Sequence, residues 1–139
     1  MRSIEQLFRL DGKVALVAGG DGGIGEAVSR GLAAAGAKVA ITSNNGPGAV
    51  ACAEALKKQG YEAYAAAFDV LSVAETQGMV EGVAKHFGRV DILVNCVGLN
   101  REEKAEEVTE KMFDFVYGVN LKGAMFRLYQ QYTVFPEWV

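Results

Sequence analysis

The sequence has few of the residues on which several protein classes depend. Its 139 residues include two cysteines, two prolines and one histidine. Two cysteines, Cys52 and Cys96, make neither a disulfide framework nor a zinc site, so we expect no bound metal. The histidine, His86, falls near a predicted helix end, where interaction with the helix dipole is the simpler interpretation.

Long apolar runs and a basic excess are missing too. No run reaches the roughly 18 apolar residues needed to cross a bilayer, and the first residues include an acid, Glu5, and no apolar signal core. Fourteen lysines and arginines against 17 aspartates and glutamates give a net charge of −3, which leaves no surplus to neutralise nucleic-acid phosphates. We therefore expect a soluble cytoplasmic protein that binds neither membrane nor nucleic acid.

Hydrophobic residues make up 50% of the chain and charged residues 22%, which indicates one packed domain over residues 1–139. Short apolar runs alternate with helical spacing, and this pattern is typical of a parallel sheet wrapped by crossover helices. The predicted strands are Lys13–Ala18, Lys38–Thr42, Tyr61–Phe68 and Asp91–Cys96, the last of them buried. Four helices are predicted: Ile24–Ala35, Ala49–Gln59, a helix that is capped by Ser72 and ends at Phe87, and one from Thr109 to at least Leu128. The first of them has Ile24, Val28 and Leu32 on one face, and a loop over Ser43–Gly48 precedes the second.

A glycine cluster from Gly19 to Gly25 (GGDGGIG) separates the first strand from the first long helix. Glycine permits a sharp turn, lets a diphosphate approach the backbone, and allows close packing of helix on strand. The helix then directs its free amides and positive dipole end at the phosphates. We therefore predict a dinucleotide site; the simpler alternative is a flexible turn without a ligand. Two registers fit, Gly20, Gly22 and Gly25 as G-x-G-x-x-G, or Gly19, Gly23 and Gly25 as G-x-x-x-G-x-G.

Residues 12–25 resemble the cofactor turn of the short-chain dehydrogenase/reductase family. Further landmarks agree in order and spacing: Asp69-Val70 after the third strand, the segment from Asn95 to Gly98 after the fourth, which is similar to N-N-A-G, and Asn120 in the following helix. The resemblance covers about residues 12–126 and implies an α/β, Rossmann-type doubly wound parallel sheet, truncated, with strand order 3-2-1-4. Ala18 departs from the family's threonine and Cys96 from the second asparagine of N-N-A-G.

The resemblance also implies roles for individual residues. The glycines would hold the diphosphate, Asp69 would accept a hydrogen bond from the adenine amino group, and Asn120 would belong to a proton relay through a bound water. Two alternatives are open, because Asp69 could simply cap the next helix and Asn95 could only tie neighbouring strands together. The predicted catalytic residue is Asn120, and the predicted cofactor-binding residues are Gly19, Asp21, Gly23, Ile24, Gly25, Ser43, Asn44, Asp69, Val70, Asn95, Val97 and Gly98.

The choice between NAD and NADP depends on what meets the adenosine 2′ position. NAD sites usually place an acid at the end of the second strand, and NADP sites an arginine nearby. Here Ser43 and Asn44 occupy those positions and carry neither charge. Asp21 in the glycine turn would repel a 2′-phosphate, whereas Ser43 leaves room for one. We expect NAD or NADP, with the balance towards NAD.

The family's serine and Tyr-x-x-x-Lys pair, which would take the alcohol proton, have no counterpart in this chain. None of its tyrosines has a lysine four residues later. We expect the isolated chain to be inactive, as the cofactor-binding part of an oxidoreductase acting on an alcohol or ketone of the sugar-acid or polyol type. The alternatives are a non-catalytic nucleotide-binding and self-association module, and a non-functional fragment. Residues 127–139 fit the family poorly and form a predicted divergent tail.

Two features predict self-association. The helix over residues 112–129 is apolar almost all round, so it needs a partner as well as the sheet. The fourth strand would lack an outer neighbour in the order 3-2-1-4, and an unpaired apolar edge invites pairing with another chain. We expect a homo-oligomer formed through this helix.

Overall fold

The computed structural model describes residues 3–131, in which a parallel four-stranded sheet carries helices on both faces. The sheet order is β3-β2-β1-β4, which confirms the predicted topology. No described helix is long and apolar enough to cross a membrane. The strands are β1 (Val14–Ala18), β2 (Lys38–Ser43), β3 (Ala63–Ala67) and β4 (Ile92–Asn95). The helices are α1 (Ile4–Leu7), α2 (Gly23–Ala34), α3 (Gly46–Lys58), α4 (Val73–Phe87), α5 (Glu110–Tyr117) and α6 (Gly123–Gln131), with a 3₁₀ turn at Ala105–Glu107 and a π-helical turn at Gly118–Lys122.

β1 lies at the centre of the sheet and all five of its residues are buried. It pairs in parallel with β2 on one side and β4 on the other, and Leu16 has Ala40 and Leu93 as its two partners. One face of the sheet packs against α2 and α3, and the other against α4. A strand covered on both faces is apolar at every position, which explains the continuous run VALVA.

The buried face of α2 differs from the predicted apolar face. Ile24 is 78% exposed, while Gly25, Ser29 and Ala33 are buried. These three residues are small and spaced by four, so the helix backbone approaches the sheet closely. The prediction was wrong because hydrophobicity marked the wrong side of a helix that packs through small residues.

α3 begins three residues before its predicted start, inside the segment expected to be a loop. The Asn45 side chain caps it by accepting a hydrogen bond from the Gly48 amide at 3.2 Å, and Pro47 lies in the first turn. Proline is tolerated there because a first-turn amide has no partner within the helix. The composition of this segment therefore indicated a loop where the chain already turns as a helix.

β4 and the helices that follow it are less buried than predicted. Ile92–Val94 are half-buried and Asn95 is exposed, because β1 is the only neighbour of β4 among the described strands. The helix begins where predicted, with Thr109 as the N-cap of α5, but the π-helical turn interrupts the predicted continuous helix before α6. Most of the predicted divergent tail, residues 127–139, lies outside the described residues.

Candidate functional site

A cleft of about 370 Å³ lies at the carboxyl ends of the strands. The sheet order reverses between β1 and β4, and ligands of open α/β sheets bind at such a switch point. Eight of the twelve predicted cofactor-binding residues line the cleft, namely Gly19, Asp21, Ser43, Asn44, Asp69, Val70, Val97 and Gly98. The other four do not line it, and they are Gly23, Ile24, Gly25 and Asn95.

The glycine turn is shaped by two close approaches. Gly19 has φ +75°, donates its amide to the Thr42 carbonyl at 2.7 Å, and lies so near β4 that a Cβ would come within 3.1 Å of the Val97 nitrogen. A Cβ on Gly25 would collide with the Gly19 carbonyl oxygen. Both positions therefore require glycine, one for the turn and one for packing α2 against it.

The start of α2 faces open space. A Cβ on Gly23 would have no atom within 4 Å, so a ligand can reach the backbone there. The N-cap of α2 is Gly22, which offers no side-chain acceptor to the first amides. By contrast, side chains of Asn45, Ser72 and Thr109 cap α3, α4 and α5. This arrangement leaves the α2 amides available to an anion.

Asp69 follows β3 and presents its carboxylate at the cleft. Its Oδ1 accepts a hydrogen bond from the Leu71 amide at 2.9 Å, which fixes the turn before α4. The α4 cap is Ser72, whose hydroxyl accepts from the Glu75 amide at 3.2 Å. The alternative in which Asp69 caps the helix is therefore wrong. Its predicted contact with adenine stays a prediction.

Asn95 links the turn after β4 to α6. Its Oδ1 accepts hydrogen bonds from the Val97 amide at 3.3 Å and from Nη2 of Arg127 at 2.8 Å. It therefore does not merely tie neighbouring strands. The bond from the side chain to Val97 holds the backbone of a residue that lines the cleft.

Arg127 is a buried positive charge that the sequence analysis missed. It is fully buried, and its Nε and Nη1 have no hydrogen-bond partner within residues 3–131. Burial lowers the pKa of its guanidinium to about 10. The one available signal was spacing, because Arg127 lies four residues beyond Gly123 and eight beyond Val119, both of which are buried.

Asn120, the predicted catalytic residue, lies in the π-helical turn. Its Nδ2 donates to the Leu99 carbonyl at 2.8 Å, and its Oδ1 accepts from the Leu99 amide at 2.9 Å. The side chain thus fixes the segment that follows Gly98, and single π turns often occur at functional sites. A role in proton relay stays a prediction.

The described residues offer no metal centre. No group of three or more potential ligands comes together among residues 3–131. Both cysteines are free in the described part of the chain, and burial raises the pKa of the Cys52 thiol, which makes it less reactive. The polar groups among the described residues that line the cleft are the backbone of the glycine turn and the side chains of Asp21, Ser43, Asn44 and Asp69.

A doubly wound parallel sheet with a glycine turn opening on its switch point defines a nucleotide-binding α/β domain of the Rossmann type. The sequence model of one such family, described as short chain dehydrogenase, matches residues 13–136. The chain belongs to the short-chain dehydrogenase family, as the sequence motifs predicted.

Named relatives agree with this assignment. The chain is 41% identical over 121 residues to D-threitol dehydrogenase of Mycolicibacterium smegmatis, which covers 87% of this chain and 46% of that protein. A dehydrogenase/reductase from Sinorhizobium meliloti superposes with TM-score 0.93 at 30% identity, covering 99% of this chain and 55% of the other. A short chain dehydrogenase from Burkholderia cenocepacia, in complex with NADP, gives TM-score 0.88 at 35% identity, covering 93% and 53%. The chain spans about half the length of the relatives it matches.

Proposed function

We propose that this chain forms the NAD(P)-binding part of an oxidoreductase that transfers hydride between a nicotinamide cofactor and an alcohol or ketone. The observation that carries the proposal is the start of α2, whose N-cap Gly22 lines the cleft without a side-chain cap and whose next residue, Gly23, has open space around it. Amides and the positive helix end at this point suit the diphosphate of a dinucleotide. Asp69 would meet the adenine, and Val97 and Gly98 would line the ribose and the floor near the nicotinamide.

We further propose that NAD is the preferred cofactor. Asp21 and Asp69 are the only charged groups among the described residues that line the cleft, so no lysine, arginine or histidine there compensates a 2′-phosphate. One solved relative holds NADP, and the negative charge of this cleft is the feature that argues for the opposite preference here.

The catalytic step would need groups that these 139 residues do not carry. No tyrosine in the sequence is followed by a lysine four residues later. We therefore expect cofactor binding without turnover from this chain by itself. The substrate class we propose is a polyol or sugar acid, and the name of the D-threitol dehydrogenase relative supports the polyol.

Fluorescence titration with NADH and NADPH tests the proposal, using two matched valine variants of α2. Gly23→Val should weaken binding at least about 10-fold without loss of stability, because its side chain would point into the space a diphosphate needs. Gly31→Val, also with no atom near a new Cβ, should bind like the unaltered chain. Absence of binding to either nucleotide at millimolar concentration would contradict the proposed function.

A non-catalytic module that binds nucleotide and associates with itself is the second candidate. The observation in its favour is the outer face of α5 and α6, where Phe113, Tyr117, Leu121 and Met125 are at least half exposed. Exposed apolar patches of this kind often mark interfaces. We propose a homo-oligomer through residues 112–129, which light scattering would detect as a defined mass. Leu121→Glu should lower that mass, and a monomer at all concentrations would contradict the association.

A further inference from the structure

Asp21 lies at the corner of the cleft where the glycine turn meets the loop after β2. It is half-buried and lines the cleft together with Ser43 and Asn44. β2 ends at Ser43, so the usual position for an acid that contacts a ribose has no charge here. The turn, not the strand, supplies the carboxylate at this corner.

Asn45 holds the Asp21 carboxylate in place. Its Nδ2 donates to Asp21 Oδ2 at 3.1 Å, while its Oδ1 accepts from the Gly48 amide at 3.2 Å as the cap of α3. The backbone amide of Asn45 donates to the Ser43 hydroxyl at 3.0 Å. Because Oδ1 of Asn45 serves as the helix cap, Nδ2 of the same side chain points at Asp21. The Asp21 carboxylate therefore has a hydrogen-bond donor held in a fixed position.

The Asp21 carboxylate lies over the first turn of α3, so close that a Cβ on Gly48 would be 2.7 Å from Asp21 Oδ2. The first turn of α3 carries no acidic side chain of its own. The positive end of α3 is thus already neutralised by Asp21 and is not free for a phosphate.

Among the described residues that line the cleft, no lysine, arginine or histidine offsets the charge of Asp21. Arg30, on α2, forms an ion pair with Glu26. A 2′-phosphate placed here would meet a fixed carboxylate, whereas a ribose hydroxyl would find a hydrogen-bond acceptor.

We propose that Asp21 is the specificity-determining residue of the cleft: it accepts a hydrogen bond from the unphosphorylated adenosine ribose and repels the 2′-phosphate, with Asn45 as its positioning residue. The proposal rests on the proposed function, since it requires a dinucleotide in the cleft. It differs from a general preference for NAD because it assigns that preference to one side chain and one hydrogen bond.

The test compares dissociation constants for NADH and NADPH in the full chain and in three variants, with circular dichroism to confirm folding. The unaltered chain should bind NADH more tightly. Asp21→Asn removes the charge and keeps the size, so the ratio of the two constants should shift towards NADPH by about 10-fold at low salt. This shift should shrink in about 0.5 M salt, which screens the charge. Asn45→Ala frees the carboxylate and should shift the same ratio by a smaller factor.

Glu81→Gln is the matched control, because it removes one negative charge from an exposed position on α4 outside the cleft lining, where the carboxylate accepts a hydrogen bond from the neutral side chain of Gln77, and it should leave the ratio unchanged. If the unaltered chain binds both nucleotides and Asp21→Asn does not change their ratio, the assignment to Asp21 is overturned while the proposed function stands. If Glu81→Gln shifts the ratio as much as Asp21→Asn, the effect is one of net charge and the assignment is also wrong. Absence of binding to either nucleotide overturns both proposals.

Discussion

The two sides of β1 differ in how completely the chain covers them. On one side β2 is buried from Val39 to Ser43, and α2 and α3 lie across the sheet through small buried residues. On the other side β4 is only half-buried, α5 has no buried residue, and α6 directs a buried guanidinium at Asn95. The first side is the better covered of the two, although β3 at its outer edge also has one neighbour among the described strands, and it is the side that carries the glycine turn.

This difference follows from which surfaces each element has available. α2 packs on β1 and β2, and α3 packs on β2 and β3, so the buried faces of both helices are covered by the sheet. α6 contacts α4 and β4, whereas α5 has no buried residue, and large side chains such as Met125, 63% exposed, remain on the surface. The cleft at the glycine turn can therefore be well formed while α5 and α6 beside it still expose an apolar surface that a partner could cover.

The largest expected effect is on the covered side. Gly25→Ala should lower the free energy of unfolding by about 3 kcal/mol, because the new Cβ collides with the Gly19 carbonyl and separates α2 from the turn. Gly31→Ala, in the same helix with open space around it, should raise stability by up to about 1 kcal/mol. Urea denaturation of both variants measures this, and equal effects would mean that the close contact of α2 with the turn does not matter.

A smaller effect of opposite sign is expected on the open side. Arg127→Met should raise the free energy of unfolding by about 2 kcal/mol, because it removes a desolvated charge whose only described hydrogen bond goes to Asn95. The exposed Arg30→Met is the control and should change stability by about 0.5 kcal/mol or less. A destabilised Arg127→Met would show that the guanidinium holds the turn after β4 more strongly than its burial costs.

The smallest effect concerns the carboxylate of Asp91, which precedes β4 and accepts a hydrogen bond from the Val14 amide at the start of β1. Burial tends to raise the pKa of Asp91, but hydrogen bonds from Arg89 and from the Val14 amide, and the nearby charge of Lys13, hold it below its ordinary 3.8. The ionised form thus stabilises the fold above pH 3.8, and this contribution disappears as the pH falls through the lower folded value.

Asp91→Asn should therefore cost about 1 kcal/mol at pH 7 and progressively less as the pH falls below 3.8. Denaturation curves from pH 2 to 7 measure the difference between the two chains. Glu54→Gln, which alters an exposed ion pair with Lys57, should show no comparable loss. A constant difference at all pH values would show that Asp91 stabilises through its shape and not through its charge.

The elements on the covered side could be predicted because their signals are local. A continuous apolar run predicted β1, and α2 ends at Ala34, one residue before its predicted end, with Gly36 at positive φ just beyond it. The start of α3 was missed because Pro47 resembles a helix breaker and is in fact compatible with a first turn. The buried face of α2 was missed because glycine and serine carry no hydrophobic signal.

The least predictable features of the site are contacts between distant parts of the chain. The hydrogen bond between Asp21 and Asn45 joins residues 24 apart, and that between Asn95 and Arg127 joins residues 32 apart. Family motifs predicted which segments meet at the cleft. Neither motifs nor spacing predict which side chain of one loop contacts which side chain of another. Those contacts depend on the three-dimensional path of the loops.

The sheet order also determines when the cleft can form during synthesis of the polypeptide. β1, β2 and β3 are adjacent in both sequence and space, so they can assemble while later residues are still being synthesised, whereas β4 must cross back to the far edge of β1. Val97 and Gly98, which close the cleft, follow β4. The proposed nucleotide would therefore favour the native state only after residue 98 has left the ribosome, and until then the growing three-stranded sheet must rely on its own apolar contacts.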